Sequence, residues 1–162
     1  KAVVKAAAEA ANQPYVTERW IGGMLTNAST INQQIKKLKN LEKRMASGDL
    51  EKRYNKLEVQ RFQEEIDALN EKYGGIKELR GRPGAIVVTD AIVDANAIKE
   101  AKTLNIPVVA FADTNVNPEL IDYVIPANDD AIKGLELLLG YCSQAASEGA
   151  GASDKTPTQE AK

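Results

Sequence analysis

Between residues 28 and 78 the apolar side chains recur at helical spacing. Phe62, Ile66, Leu69, Tyr73 and Ile76 step by 4, 3, 4 and 3 residues, the a/d seam of two helices wound together. Ile31, Ile35, Leu38, Leu41 and Met45 recur at the same spacing upstream. Asn27 is placed to cap the first helix, and Ser47-Gly48-Asp49 reads as the turn, with Asp49 capping the second helix. Gly74-Gly75 reads as a left-handed stop. Two helices joined by a short turn form an antiparallel hairpin. At about 1.5 Å per residue, arms of roughly 18–24 residues reach about 27–36 Å, as far as a small domain is wide. Such a hairpin projects from whatever carries it.

The flanks read as α/β. Residues 1–12 form a helix with Val4, Ala7, Ala8 and Ala11 on one side, followed by a short strand at Tyr15-Val16-Thr17. Ala85–Thr89 and Ile106–Ala112 are apolar runs of the kind buried on both faces of a sheet, separated by a helix that Asp94 caps. A strand–helix–strand unit makes its two strands parallel. Tyr123-Val124-Ile125 adds another strand, and Asn128-Asp129-Asp130 opens a last helix. The expected fold is α/β: a three-layer, mostly parallel, doubly wound (flavodoxin-like) sheet with an inserted antiparallel coiled-coil hairpin. Residues 1–27 and 79–148 form the α/β domain, 28–78 the hairpin and 149–162 a disordered tail. Because such a fold does not normally begin on a helix, its first strands are expected before residue 1.

Several function classes are removed by what the 162 residues lack. There is no histidine, so Ser-His-Asp and Cys-His triads and histidine-ligated metals are out. The single cysteine, Cys142, supports neither a disulfide framework nor a cysteine zinc site, and reads as a packing residue. No apolar run approaches the roughly 20 residues of a membrane span. No glycine-rich phosphate loop follows any strand. Any enzyme reading must use carboxylates, Lys, Tyr or a bound cofactor, and no metal site or membrane span is expected. The remaining enzyme reading places Asp90, Asp113 and Asn115 at the carboxyl ends of parallel strands, where ligands usually bind. The same residue types also populate turns and caps.

Charge is distributed unevenly. The net value is −2, yet residues 1–80 hold 15 Lys/Arg against 11 Asp/Glu, and residues 81–162 hold 6 against 12. From Lys36 to Arg61 there are nine basic residues, Lys36, Lys37, Lys39, Lys43, Arg44, Lys52, Arg53, Lys56 and Arg61, against four acids. Clustered cations of this kind replace the counterions condensed on RNA. They also fit a solvated helix laced with ion pairs, or a hairpin that docks another protein. The segment Glu18 to Asn27, ERWIGGMLTN, holds the only tryptophan. Gly22-Gly23 allows a sharp turn. Trp20 either packs in a joint or stacks on a base, and Arg19 either grips phosphate or pairs with a carboxylate.

The ordered set Tyr15-Val16-x-x-Arg19-Trp20-x-Gly22-Gly23-x-Leu25-Thr26-Asn27, then Gly74-Gly75-Ile76-Lys77, Ala97-Ile98-Lys99-Glu100-Ala101, Ile106-Pro107-Val108, Asp113-Thr114-Asn115 and Ile125-Pro126-x-Asn128 resembles the bacterial-type small-subunit ribosomal protein S two family. The resemblance runs from about residue 3 to 148. It implies an α/β domain with an inserted coiled-coil hairpin and a non-catalytic role on a ribosome, cytoplasmic or organellar. The implied partners are small-subunit rRNA and neighbouring small-subunit proteins, including the large RNA-binding protein S one, with no cofactor and no small-molecule substrate. The expected RNA contacts are Arg19, Trp20, Lys36, Lys37, Lys39, Lys43, Arg44, Lys52, Arg53 and Arg82. They should read sugar-phosphate and shape, because A-form RNA hides its bases in a deep, narrow major groove. Family members carry a further N-terminal segment, and many carry histidines after the strand that ends near Asp90. Here that stretch is Ala91-Ile92-Val93-Asp94-Ala95-Asn96, so no histidine-dependent metal site carries over.

Overall fold

A computed structural model of the chain describes residues 1–128 and 130–153, with side chains through residue 150. Among the described residues the order is α1 (Ala2–Ala10), α2 (Ala28–Ala46), a short α3 (Asp49–Arg53), α4 (Lys56–Tyr73), β1 (Ile86–Val88), α5 (Ala95–Thr103), β2 (Val108–Ala112), β3 (Tyr123–Pro126) and α6 (Ile132–Ser153). Single 3-10 turns occupy Gly74–Ile76 and Pro118–Leu120. None of these helices is long and apolar enough to cross a membrane.

The strands form one parallel sheet in the order β1-β2-β3, with Val88 opposite Ala110 and Ala110 opposite Val124. One sheet face, carrying Val88, Val108 and Ala110, packs against Ile98 and Ala101 of α5. Leu25, Ala91, Ile106 and Ile121 complete that core. Burying a Val or Ile side chain stabilises by about 1.5–3 kcal/mol, which is why a short three-stranded sheet holds here. Asp122 locks the register. One of its oxygens accepts from the Val108 N–H at 2.8 Å, and the other pairs with Lys102 on α5. The Lys102 bond, then the Val108 N–H, hold its carboxyl below the usual range. Helix α1 packs on α6; Val4, Ala7 and Ala8 on its expected side are half-buried, and Ala11, just past its end, is buried.

Helices α2 and α4 lie against each other. Leu38, Leu41 and Ile66 form one buried cluster, bordered by Met45, Phe62 and Leu69. Nearer the sheet, Ile31, Ile35, Tyr73, Ile76 and Met24 form another. Ile35 meets Tyr73 while Leu41 meets Ile66, so the two chains run in opposite directions. The seam read from the sequence is the buried side of α4.

Local structure differs from expectation at several places. Tyr15–Thr17 is not a strand; Pro14 has no N–H to give a ladder, and the Tyr15 N–H donates instead to the Gly75 carbonyl at 3.0 Å. Gly74 is right-handed (φ −55°, ψ −45°), so the glycine pair does not form a left-handed stop. The need for glycine is steric: a Cβ on Gly75 would sit 2.2 Å from the Tyr15 carbonyl oxygen and 2.6 Å from its ring. The second long helix does not start at Asp49. Tyr54 is extended (φ −126°, ψ 155°), and Asn55 restarts the helix with a capping box. In that box the Glu58 N–H donates to Asn55 Oδ1 at 2.9 Å, and the Asn55 N–H to Glu58 Oε2 at 3.1 Å. Helix α6 begins at Ile132 rather than Asn128, whose side chain instead accepts from the Asp130 N–H. Residues 149–153 of the segment expected as a disordered tail continue α6; the remainder, 154–162, lies outside the described residues.

Candidate nucleic-acid interface

Helix α2 follows directly on ERWIGGMLTN. Trp20 is half-buried and touches both the sheet core and the cluster at the hairpin root. Its indole N–H donates to Glu100 Oε1 at 3.2 Å. Gly23, at φ +92°, makes the bend and donates its N–H to the same oxygen at 2.7 Å. Glu100 Oε2 accepts from the N–H groups of Leu25 and Thr26 at 3.0 and 3.1 Å and from Thr26 Oγ1 at 3.1 Å. Burial alone would raise the Glu100 pKa. The N–H groups of Gly23, Thr26 and Leu25, with the Trp20 indole, outweigh it and hold the carboxyl below its ordinary value. Asn27 occupies the cap position of α2 without capping the backbone; its Oδ1 accepts from the hydroxyls of Ser29 and Thr30, each at 3.1 Å. The sequence reading did not assign Glu100 this role. The available signal was its register on α5, one turn after buried Ala97 and beside buried Ala101.

The basic residues of the hairpin separate into two groups. Lys37 pairs with Glu65, and Lys39 with Glu78 at 2.8 Å. Arg44 and Arg53 both reach Asp49, at 3.1 and 2.8 Å. Arg44 also lies 6.0 Å from the centre of the Tyr54 ring, which stands edge-on to Phe62 at 5.1 Å. Arg44 is thus part of what folds the hairpin tip. At the root, Glu42 takes Lys77 at 2.6 Å and Asn70 at 2.8 Å, and the bond to Lys77 lowers its pKa despite partial burial. Lys36, Lys43, Lys52, Lys56 and Arg61 are exposed and form no ion pair among the described residues. Lys36 and Lys43 are one heptad apart on α2, a drift of only about 20°, so they share a stripe. Arg19, before the bend, and Arg82, in the loop before β1, are likewise exposed and without an ion pair among the described residues.

The acids at the strand carboxyl ends are occupied by their own turns. Asp90 Oδ1 accepts from the N–H groups of Ile92 and Val93 at 2.9 Å each, and Asp113 Oδ1 from Thr114 at 2.6 Å. The half-buried Asp94 has its pKa raised by burial and then by Asp90. Nearby, a hollow of about 260 Å³ is walled by Ala91, Ile98, Val116 and Ile121, with Asn115 at its rim, but neither Asp90 nor Asp113 lines it. Among the described residues no group of three or more His, Cys, Asp or Glu could hold a metal ion.

The family model for ribosomal protein S2 matches residues 1–149. The chain belongs to the ribosomal protein S2 family. Relatives within that family include the small ribosomal subunit protein uS2 of Vibrio cholerae serotype O1, 48% identical over 146 residues, covering 90% of this chain and 60% of the relative. The uS2 protein of Ureaplasma urealyticum serovar 10 is 43% identical over 148 residues, covering 91% of this chain and 42% of the relative. The chain thus spans about half the length of these S2 relatives. The S2 family is one of ribosomal proteins and not of enzymes. The matched span contains helices α2 and α4 and both exposed arginines, Arg19 and Arg82.

Proposed function

We propose that the chain is a non-catalytic structural constituent of the small ribosomal subunit that holds small-subunit rRNA through its helical hairpin. The observation that carries this is the set of exposed cations, Lys36, Lys43, Lys52, Lys56 and Arg61, left without carboxylate partners among the described residues in a chain of net charge −2. An unpaired lysine meets a phosphate without first breaking a protein contact. Lys37, Lys39, Arg44 and Arg53 exchange a carboxylate for phosphate, and Arg44 does so at the expense of the tip. Surface pairs are worth only about 0–1 kcal/mol, so Lys37, Lys39 and Arg53 remain secondary contacts. Arg19 and Arg82 are the core's phosphate contacts, and Trp20 abuts the RNA from within the joint. Neighbouring small-subunit proteins, with protein S one among them, meet the remaining surface. In this reading the α2–α4 pair is a supercoiled hairpin inserted at 28–78, and residues 1–27 and 79–148 form a doubly wound, flavodoxin-like domain.

Filter binding of the folded chain to small-subunit rRNA, at salt rising from about 50 to 200 mM, tests this reading. Each phosphate contact contributes about 0.7–0.9 to the slope of log affinity against log salt. The five hairpin contacts alone thus predict an affinity loss of roughly 10²–10³-fold over that range, and Arg19 and Arg82 add about another tenfold. Salt-insensitive binding would replace this reading with one in which the hairpin docks a protein through apolar contacts.

A further inference from the structure

Four donors immediately ahead of the hairpin's first helix converge on one carboxylate 74–77 residues away in sequence: the N–H groups of Gly23, Leu25 and Thr26 and the Thr26 hydroxyl. The Trp20 indole adds a fifth. These N–H groups precede the cap residue Asn27, so none has a carbonyl partner in the first turn of α2. Glu100 itself is held by α5, whose neighbouring residues Ala97, Ile98 and Ala101 are buried against the sheet. The apolar contacts at the root, Met24 with Ile31, Ile35 and Tyr73, are non-directional and permit rocking. Hydrogen bonds to a fixed carboxylate are directional and weaken steeply when bent.

We propose that Glu100 is the positioning residue that sets the direction in which the hairpin leaves the α/β core, and that rRNA affinity acts through it without its touching RNA. The affinity part rests on the reading of the hairpin as the RNA-binding arm. A carboxylate is required because both of its oxygens are acceptors only. In Glu100→Gln the amide NH₂ must face either the Trp20 and Gly23 N–H groups, and two donors lose their partner, or the Leu25 and Thr26 N–H groups, and those two lose theirs while the Thr26 hydroxyl has to turn round and accept. Glu100→Asp keeps the acceptors and retracts them by one methylene.

The test uses the chain carrying Cys142→Ser with nitroxide labels at Ser47→Cys in the hairpin turn and Asn96→Cys on α5. Pulsed electron–electron resonance reads the distance between labels without RNA. The expected result is one narrow distance with Glu100 and a broadened or shifted distribution in Glu100→Gln, with helicity unchanged and rRNA binding weaker by about tenfold. An arm free to rock must be ordered on binding. Glu100→Asp should recover part of the narrow distribution. If Glu100→Gln does not fold, Trp20→Phe with Thr26→Val removes the side-chain donors only and should still broaden the distribution. An unchanged distance in a folded Glu100→Gln chain overturns the positioning role. A broadened distance with unchanged rRNA affinity overturns the coupling to RNA. Broadening in a protein whose unsubstituted form does not bind rRNA overturns the RNA reading and leaves the positioning role standing.

Discussion

Substituting Gly75 by alanine should destabilise the hairpin root, and the structure sets the scale. The added Cβ would lie 2.2 Å from the Tyr15 carbonyl oxygen and 2.6 and 2.8 Å from two atoms of its ring. The nearest atom is backbone, so a rotamer change of Tyr15 cannot relieve it. Residues near Tyr15 or the Gly74–Ile76 turn must move by about an ångström, which also strains the Tyr15 N–H bond to the Gly75 carbonyl. Overpacking of this kind costs about 1–3 kcal/mol, and the hydrogen bond about 0.5–1.5 kcal/mol. Against this, alanine stiffens the unfolded chain and returns about 0.4–1 kcal/mol. The clash wins by about 0.5–4 kcal/mol, a fall in Tm of roughly 1–16 °C for a chain of this size. Gly22 is the matched control, with nothing within 4 Å of its added Cβ and no left-handed φ. Gly22→Ala should stay within about 1 kcal/mol of the parent. Thermal melts followed by circular dichroism, with urea midpoints alongside, read both variants. Equal melting of Gly75→Ala and Gly22→Ala would refute the close-approach argument.

Asn55→Ala should cost about 1 kcal/mol by removing the capping box of α4, read as a fall in Tm of about 2–4 °C and faster amide exchange at Glu58. Arg44→Gln should lower Tm, because Arg44 packs over Tyr54 and pairs with Asp49, whereas Lys43→Gln should leave Tm unchanged and weaken rRNA binding only. The Glu100 carboxyl has a folded pKa below its unfolded value of about 4.3, so the unfolded chain binds more protons between the two. Its stabilisation is therefore present above the unfolded pKa and is lost as pH falls through the folded one. Acid melts should show this loss, and Glu100→Gln should show less of it.

Strong periodicity made parts of the fold legible in the sequence. The apolar runs at 86–88 and 108–112 are strands, and the Phe62–Ile76 seam is the buried side of α4. Legibility failed where a residue's environment comes from a distant segment. Gly74-Gly75 looks like a helix stop from its neighbours, yet glycine is needed because Tyr15, 60 residues upstream, lies against it. Tyr15-Val16-Thr17 has strand composition but lies against the hairpin root. Glu100 looks like an ordinary surface acid of α5 until the bend at Gly23 brings the donors to it. Asn55-x-x-Glu58 is readable as a capping box, but Asp49, directly after the turn residues Ser47-Gly48, offers an earlier cap that hides the break at Tyr54. The cluster of basic residues is plain in the sequence, but only the structure separates paired Lys37 and Lys39 from unpaired Lys36 and Lys43.

That separation is tested most directly by comparing salt slopes of two charge-neutralised variants on small-subunit rRNA. One carries Gln at Lys36, Lys43, Lys52, Lys56 and Arg61; the other carries Gln at Lys37, Lys39, Arg44 and Arg53. The account predicts that the first loses about 3.5–4.5 from the slope, five contacts at 0.7–0.9 each, and that the second loses less than half of that. A slope unchanged in the first variant, with the loss appearing in the second or in an Arg19 and Arg82 double substitution, would contradict it.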